Sequence, residues 1–181
     1  MEDAFIENSV RTRLIVAGIN EIEERGIKDF SLRRAALAAE VSCAAPYRHF
    51  KDKEDFISEI IKYVGSKWEL LCREIVGVFK NDKKRLVIEL AVSNLRVWVA
   101  NPNYRSVLLT LSAAGKEGLS VFDAPLLSAI DEYALEKDID LEKTKHLVRA
   151  LIYGSLMLAG EDSDTSGIVS SLRERLEKEF E

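Results

Sequence analysis

The chain has 181 residues, 47% of them hydrophobic and 31% charged, with nine glycines, three prolines and a formal net charge of −5. That balance describes a soluble globular protein, one compact domain or a small domain fused to a larger one, and excludes a disordered chain. No run of about 18 apolar residues exists, which excludes an ordinary membrane span.

The first residues, Met-Glu-Asp-Ala-Phe-Ile-Glu, are acidic and lack the basic and apolar regions of a signal peptide. Residues 5–25 carry apolar positions at Leu14, Ala17, Gly18 and Ile22, widened by Ile15 and Ile19, the spacing of one amphipathic helix. Gly26 is placed to stop it. The next stretch, residues 31–53, holds two short helical patterns. Ser31 is a candidate N-cap for the first, and Ala35, Ala36, Leu37 and Ala39 suit close helix contact. The pattern breaks at Glu40-Val41-Ser42, and Ser42 is a candidate cap for a second helix running to about Phe50. Two short helices joined by a tight turn make a helix-turn-helix. Pro46 is tolerable there, because the carbonyl it would strand belongs to the proposed cap and only the first helical bond is lost. Phe50, and at least the ring of Tyr47, are expected to pack and seat the second helix.

Charge supports a nucleic-acid role for this stretch. Lys28, Arg33, Arg34, Arg48, Lys51 and Lys53 outweigh Asp29, Glu40 and Asp52, so residues 28–53 carry +3 and the remainder −8. Phosphate binding needs a local basic surface, which an acidic remainder does not forbid.

A turn at Lys51-Asp52 leads into a long helical pattern from Lys53 to about Phe79. Asn81 to Lys84 form the next turn, and residues 86–100 are apolar almost all round, as in a central helix. Glu89, Ser93 and Arg96 fall on one side of it and read as a solvent-facing edge. A short helix is expected from Tyr104 to about Leu111, small residues from Ser112 to Gly115, a loop over 116–124, then helices over Pro125–Glu136, Leu141–Ala159 (capped by Asp140) and Ile168–Phe180. No strand-like alternation or internal repeat appears, so the fold class is all-α. Cys43 and Cys72, the only cysteines, have no metal spacing, and His146 stands alone. No metal or cofactor is implied, the expected setting is reducing and cytoplasmic, and no nucleophile–base pair or phosphate loop suggests an enzyme.

The first fifty-odd residues resemble the TetR family of transcriptional regulators. The resemblance runs from Arg13-Leu-Ile through Arg25-Gly26, Ser31 and Val41-Ser42 to Tyr47-Arg-His-Phe50 and Lys53-Glu54, with Ala45–Glu54 its most specific part. It implies a three-helix helix-turn-helix DNA-binding domain over residues 1–52, joined by a continuous helix to a larger helical ligand-binding and dimerisation domain over 53–181. Two departures stand out. Glu40 occupies a turn position where the family usually has Gly, which would place a side chain in the left-handed region, and Ala35 replaces a bulky aliphatic anchor.

Carried over by position, Arg33 matches a site that contacts bases or nearby phosphates, and Cys43, Ala44 and Ala45 match the base-facing start of the recognition helix. Tyr47, His49 and Lys53 match backbone-contacting positions, with Ser31, Ser42 and Arg48 completing the candidate DNA-binding set. Arg33 suits guanine, whereas the small trio offers apolar contact to thymine methyls. Trp68, Trp98, Tyr104 and Phe122 are candidates to line an effector cavity, although large aromatics usually form plain core. Leu147, Leu151, Gly154 and Leu158 form one stripe, and Val148, Ile152, Ser155 and Ala159 a second. One core need not consume both, so Leu151, Ile152 and Ser155, with Leu172 and Leu176, are candidates for a two-fold interface.

The expected function is a homodimeric, sequence-specific repressor of a near-palindromic double-stranded operator, released by an unidentified small apolar effector. The alternative is a helical interaction protein that keeps the fold without DNA binding.

Overall fold

A computed structural model describes residues 9–102, 104–105, 120–137, 139–159 and 165–180. Among them are eight helices and no strands: α1 (Val10–Asp29), α2 (Leu32–Ala38), α3 (Pro46–His49), α4 (Lys53–Phe79), α5 (Lys83–Ala100), α6 (Ser120–Glu136), α7 (Leu141–Leu158) and α8 (Thr165–Glu179). The chain is all-α, as its periodicities require. Of the helix expected over Tyr104–Leu111, all beyond Arg105 lies outside the described residues, as do the small residues 112–115 and the first part of the expected loop, 116–119.

The chain forms two compact units, Met1–Ser66 with Pro102–Gly118 and Lys67–Asn101 with Leu119–Glu181. The division falls inside α4, in whose first half Phe56, Ile57, Ile60 and Val64 are buried.

In the first unit, α1 buries Leu14, Ile15, Ala17, Gly18, Ile19 and Ile22, the stripe read from its spacing. Ser9 caps it by accepting from the Thr12 N–H at 3.1 Å. Gly26 breaks it with φ 74°, after which one short turn continues to Asp29. The break falls at the glycine because only a residue without a Cβ takes that conformation at little cost. Phe56 is the hub of this core. It is fully buried, stacks on Phe30 at 5.4 Å and meets the edge of Phe50 at 4.5 Å. On its remaining side it lies against Gly18, so close that a Cβ there would collide with the ring.

In the second unit, α5 is the central helix, in contact with α6, α7 and α8. It buries Leu86, Val87, Ile88, Leu90, Ala91, Val92, Asn94, Leu95 and Trp98. Asn94, the one polar residue in that set, is satisfied: its amide donates to the Phe122 carbonyl at 3.3 Å and its Oδ1 accepts from the Trp98 indole at 2.5 Å. Trp68 donates to the same carbonyl at 3.0 Å. Helix α6 begins at Ser120 and not at Pro125. A proline at that point strands only the carbonyl of residue 121 in the first turn, and burial of Phe122 (0% exposed) holds the extra turn in place. Buried Asp123 beside it accepts from the Tyr153 hydroxyl at 2.9 Å and lies 3.0 Å from Arg149 Nε, an ion-pair contact without hydrogen-bond geometry. Burial raises its carboxyl above the ordinary range, against the lowering effect of those two partners. Asp140 caps α7 by accepting from the Lys143 N–H at 3.1 Å, as expected.

Glu89 is a correction. It faces no solvent edge: Arg173 of α8 clamps its two oxygens at 2.6 and 2.7 Å, tying the last helix to the central one. Of the expected edge, Arg96 is exposed and Ser93 intermediate.

Candidate nucleic-acid interface

Helices α2 and α3 are joined by a tight turn over residues 39–45. Glu40 takes φ 56°, the left-handed conformation expected where a glycine would be easier. The turn is held by the Ala36 carbonyl, which accepts from the Val41 N–H, and the Leu37 carbonyl, which accepts from Glu40, both at 3.0 Å. Ala35 and Ala36 are fully buried. Their small side chains are what α2 presents to the neighbours it touches, α1 and α3.

Two local expectations need correction. Ser42 does not start the second helix. Its carbonyl accepts from the Ala45 N–H at 2.8 Å in a preceding turn, and α3 begins at Pro46 with Ala45 as N-cap. Proline at the first helical position is pre-shaped for the helix and has no N–H to strand. Cys43, Ala44 and Ala45 therefore lie on the turn before α3. Tyr47 does not pack: its side chain is 66% exposed, whereas Phe50, three residues on, is 2% exposed. In a helix of one turn the core side is filled by Pro46 and Phe50. Ser31 occupies the N-cap of α2 with extended backbone, but through its carbonyl, which accepts from the Ala35 N–H at 3.0 Å, with no side-chain cap bond.

The surface that results is continuous along this segment. Ser42, Ala44, Tyr47, Arg48, His49 and Lys51 are exposed, as is Arg33 on α2, while Cys43 is half-buried. Two bases read as part of the positive patch are engaged internally. Arg34 donates to the carboxylate of Glu21 on α1 and to the Asp29 carbonyl, and Arg25 lies 3.8 Å from the same nearly buried Glu21. Lys53 Nζ donates to the Phe30 carbonyl at 3.1 Å and sits 5.5 Å from the Phe30 ring centroid. These long-range partners leave no periodic signature in sequence. A further pair missed there is Arg11 with Glu59, the Arg11 guanidinium also standing 5.6 Å from the Phe50 ring. The start of α4 is fixed by a reciprocal cap. Asp52 accepts from the Asp55 N–H at 2.8 Å and Asp55 from the Lys51 N–H at 2.9 Å.

The remaining site residues fall in the second unit, Tyr104 apart. Trp68, Trp98 and Phe122 come together as one buried aromatic cluster, with ring centroids of Phe122 5.7 Å from Trp68 and 4.7 Å from Trp98. Tyr104, half-buried, lies in the first unit. Of the two stripes on α7, the core consumes the second: Val148, Ile152 and Ala159 are buried. Leu172 and Leu176 are buried in the same protomer at 2% and 0% exposure, so these two and Ile152 are corrected from interface candidates to core. The first stripe is left over. Leu147 and Leu151 are half-buried, Gly154 is exposed and Leu158 is 74% exposed, and Met157, beside the stripe and in neither set, is 79% exposed. Among the described residues no cluster of three metal-ligating side chains exists, and no helix is long and apolar enough to cross a membrane.

Comparison by sequence with curated proteins gives no match. Several solved structures share the fold. FadR, a transcriptional regulator from Bacillus subtilis crystallised with stearoyl-CoA, aligns over 91% of this chain and 96% of its own with a TM-score of 0.72 at 17% identity. A TetR-family transcriptional regulator from Rhodococcus sp. aligns over 95% and 98%, with a TM-score of 0.69 and 17% identity. An AcrR-family regulator from Aquifex aeolicus covers 94% and 99%, with a TM-score of 0.64 and 22% identity. Residues 14–60, which span α1 to the first turns of α4, match the family model of bacterial regulatory proteins, tetR family. Over that helix-turn-helix segment, the chain is similar to the TetR family of regulators.

Proposed function

We propose that the protein is a homodimeric, non-enzymatic transcriptional repressor that binds a near-palindromic operator and is released by a small apolar effector. One observation carries the DNA reading: the outward face of the turn and α3 offers phosphate donors around a small apolar centre. Tyr47, Arg48 and His49 can all donate to phosphate oxygens, which fix register without reading sequence. Arg33 can pair with a guanine edge, and Ala44 with the half-buried Cys43 and Ala45 can meet thymine methyls. Ser31 and Ser42 shape the backbone of this surface. With so few base contacts in one copy, specificity requires two copies at fixed spacing.

The leftover stripe on α7 supports the second copy. Leu147, Leu151, Met157 and Leu158, with Gly154 among them and Ser155 at the margin, are what a self-complementary two-fold interface would cover. The effector is supported by the similar fold of a regulator that holds stearoyl-CoA. In this chain the binding region would be the larger unit, where Trp68, Trp98 and Phe122 must part to admit an apolar chain.

The test is selection of DNA from a random pool followed by anisotropy titration across a salt series. The expected result is a two-fold symmetric sequence whose affinity falls steeply with salt; a protein that enriches no sequence at micromolar concentration does not fit the reading. Leu158→Asp should shift sedimentation from dimer to monomer and weaken operator binding at least a hundredfold. A dimer that survives this change would remove α7 from the interface.

A further inference from the structure

The ammonium of Lys53 faces inward, toward a carbonyl, at a position where the family resemblance implies a phosphate contact. Its Nζ lies 3.1 Å from the oxygen of Phe30, the residue that ends α1 and precedes the N-cap of α2. The same charge stands 5.5 Å from the Phe30 ring centroid. Phe30 is the C-cap of α1, and the end of a helix is where a cation is favoured. Lys53 is also the first residue of α4, the helix whose first half closes the small core. One residue thus ties the beginning of α4 to the joint between α1 and α2. Phe56, one turn later, stacks on the same Phe30 ring at 5.4 Å and meets Phe50 at 4.5 Å. By contrast, Arg33, Arg48 and Lys51 are exposed and have no ion pair among the described residues.

We propose that Lys53 is a positioning residue and not a phosphate contact: its ammonium clasps the Phe30 carbonyl and ring, and so sets how α2 and α3 are presented to DNA from the start of α4. The DNA half of this inference rests on the proposed function, whereas the clasp itself does not. Each phosphate contact adds about 0.9 to the slope of log affinity against log salt, so two copies of a lost contact would lower that slope by about 1.8. A lost clasp lowers affinity without touching the slope.

Two measurements separate these cases. In the full-length protein without DNA, ¹H–¹⁵N spectra of lysine ammonium groups, assigned with Lys53→Arg, should show the Lys53 group slowed in exchange relative to the other lysines. Averaging with bulk lysines would overturn the clasp. With selected operator DNA, Lys53→Met should bind about tenfold more weakly, the size of one lost hydrogen bond per copy, with an unchanged salt slope and with Lys53→Arg restoring most of the affinity. A slope reduced by about 1.8 would make Lys53 a phosphate contact, and unchanged affinity would deny it any part in presenting the site. If the unsubstituted protein selects no DNA, the function fails while the ammonium spectrum still decides the clasp.

Discussion

Substitution of Gly18 by alanine sets two opposed effects against each other, and the surroundings of the residue decide between them. Glycine inside a helix is less favourable than alanine by about 0.5–1 kcal/mol, so the change alone would stabilise α1. The added methyl, however, would be driven into the Phe56 ring and lie 3.2 Å from Ile60 Cδ1. That ring is fully buried and has no room to retreat, with Phe30 stacked on it and the edge of Phe50 against it. Overpacking of this kind costs about 1–3 kcal/mol. The clash therefore wins, and Gly18→Ala should destabilise the first unit by about 0.5–2 kcal/mol net.

Gly77 supplies the control, since a Cβ there meets nothing within 4 Å and the residue is exposed on α4. Gly77→Ala should stabilise by about 0.5–1 kcal/mol. Urea unfolding at fixed protein concentration, followed by helical circular dichroism, measures both, with the midpoint compared at constant slope. Shrinking the ring should relieve the strain, so Gly18→Ala combined with Phe56→Leu should cost less than the sum of the two single changes. A Gly18→Ala protein as stable as Gly77→Ala would refute the reasoning, because it would mean that the Phe30–Phe50–Phe56 cluster yields freely.

Glu40→Gly should stabilise the turn by about 0.5–1 kcal/mol, because glycine takes the observed φ of 56° without steric cost while losing more entropy on folding; a lower melting temperature would contradict this. The Glu89 carboxyl is held below the usual carboxylate range, first by hydrogen bonds from Arg173 and then by the charges of Arg173, Arg85 and Arg96, against burial. Its contribution is present above the ordinary carboxylate pKa of about 4.3 and is lost as pH falls through the depressed folded value. Glu89→Gln should accordingly cost about 1–2 kcal/mol at pH 7, discounted for partial exposure, and progressively less in acid. Urea midpoints at pH 7 and pH 3 check it, and a penalty that stays constant with pH would show that the clamp is not ionic.

The long helices were legible because their burial follows a 3.6-residue period: Leu14 to Ile22 on α1 and the nearly uniform apolar run of α5 each announce a face. The recognition element was legible as a motif but not as geometry. One turn of helix gives no period to read, so the start at Pro46 and the outward ring of Tyr47 had to come from packing against Phe50. Pairings such as Arg34 with Glu21, Lys53 with Phe30 and Arg173 with Glu89 join distant points of the chain, and charge counts cannot see them. The proposed interface followed the same limit. Two stripes on α7 are equally apolar in sequence, and only the fold of the protomer shows that Val148 and Ile152 are spent inside while Leu158 remains outside.

These internal pairings bear on how the proposed regulator would work. Of the six bases that gave residues 28–53 their positive balance, Arg34 is committed to Glu21 and Lys53 to Phe30, so fewer charges face outward than the count suggests. Fewer outward charges mean weaker sequence-independent attraction to DNA. That favours discrimination, because non-specific binding falls while paired contacts from two copies are retained. The inward charges instead brace the element that reads: Arg34 holds α2 to α1, and Lys53 and Phe56 hold the start of α4 to the joint before α2. On the proposed reading, a modest electrostatic surface on a braced support would bind well only when both copies are correctly spaced, and that dependence on spacing is what an effector would exploit.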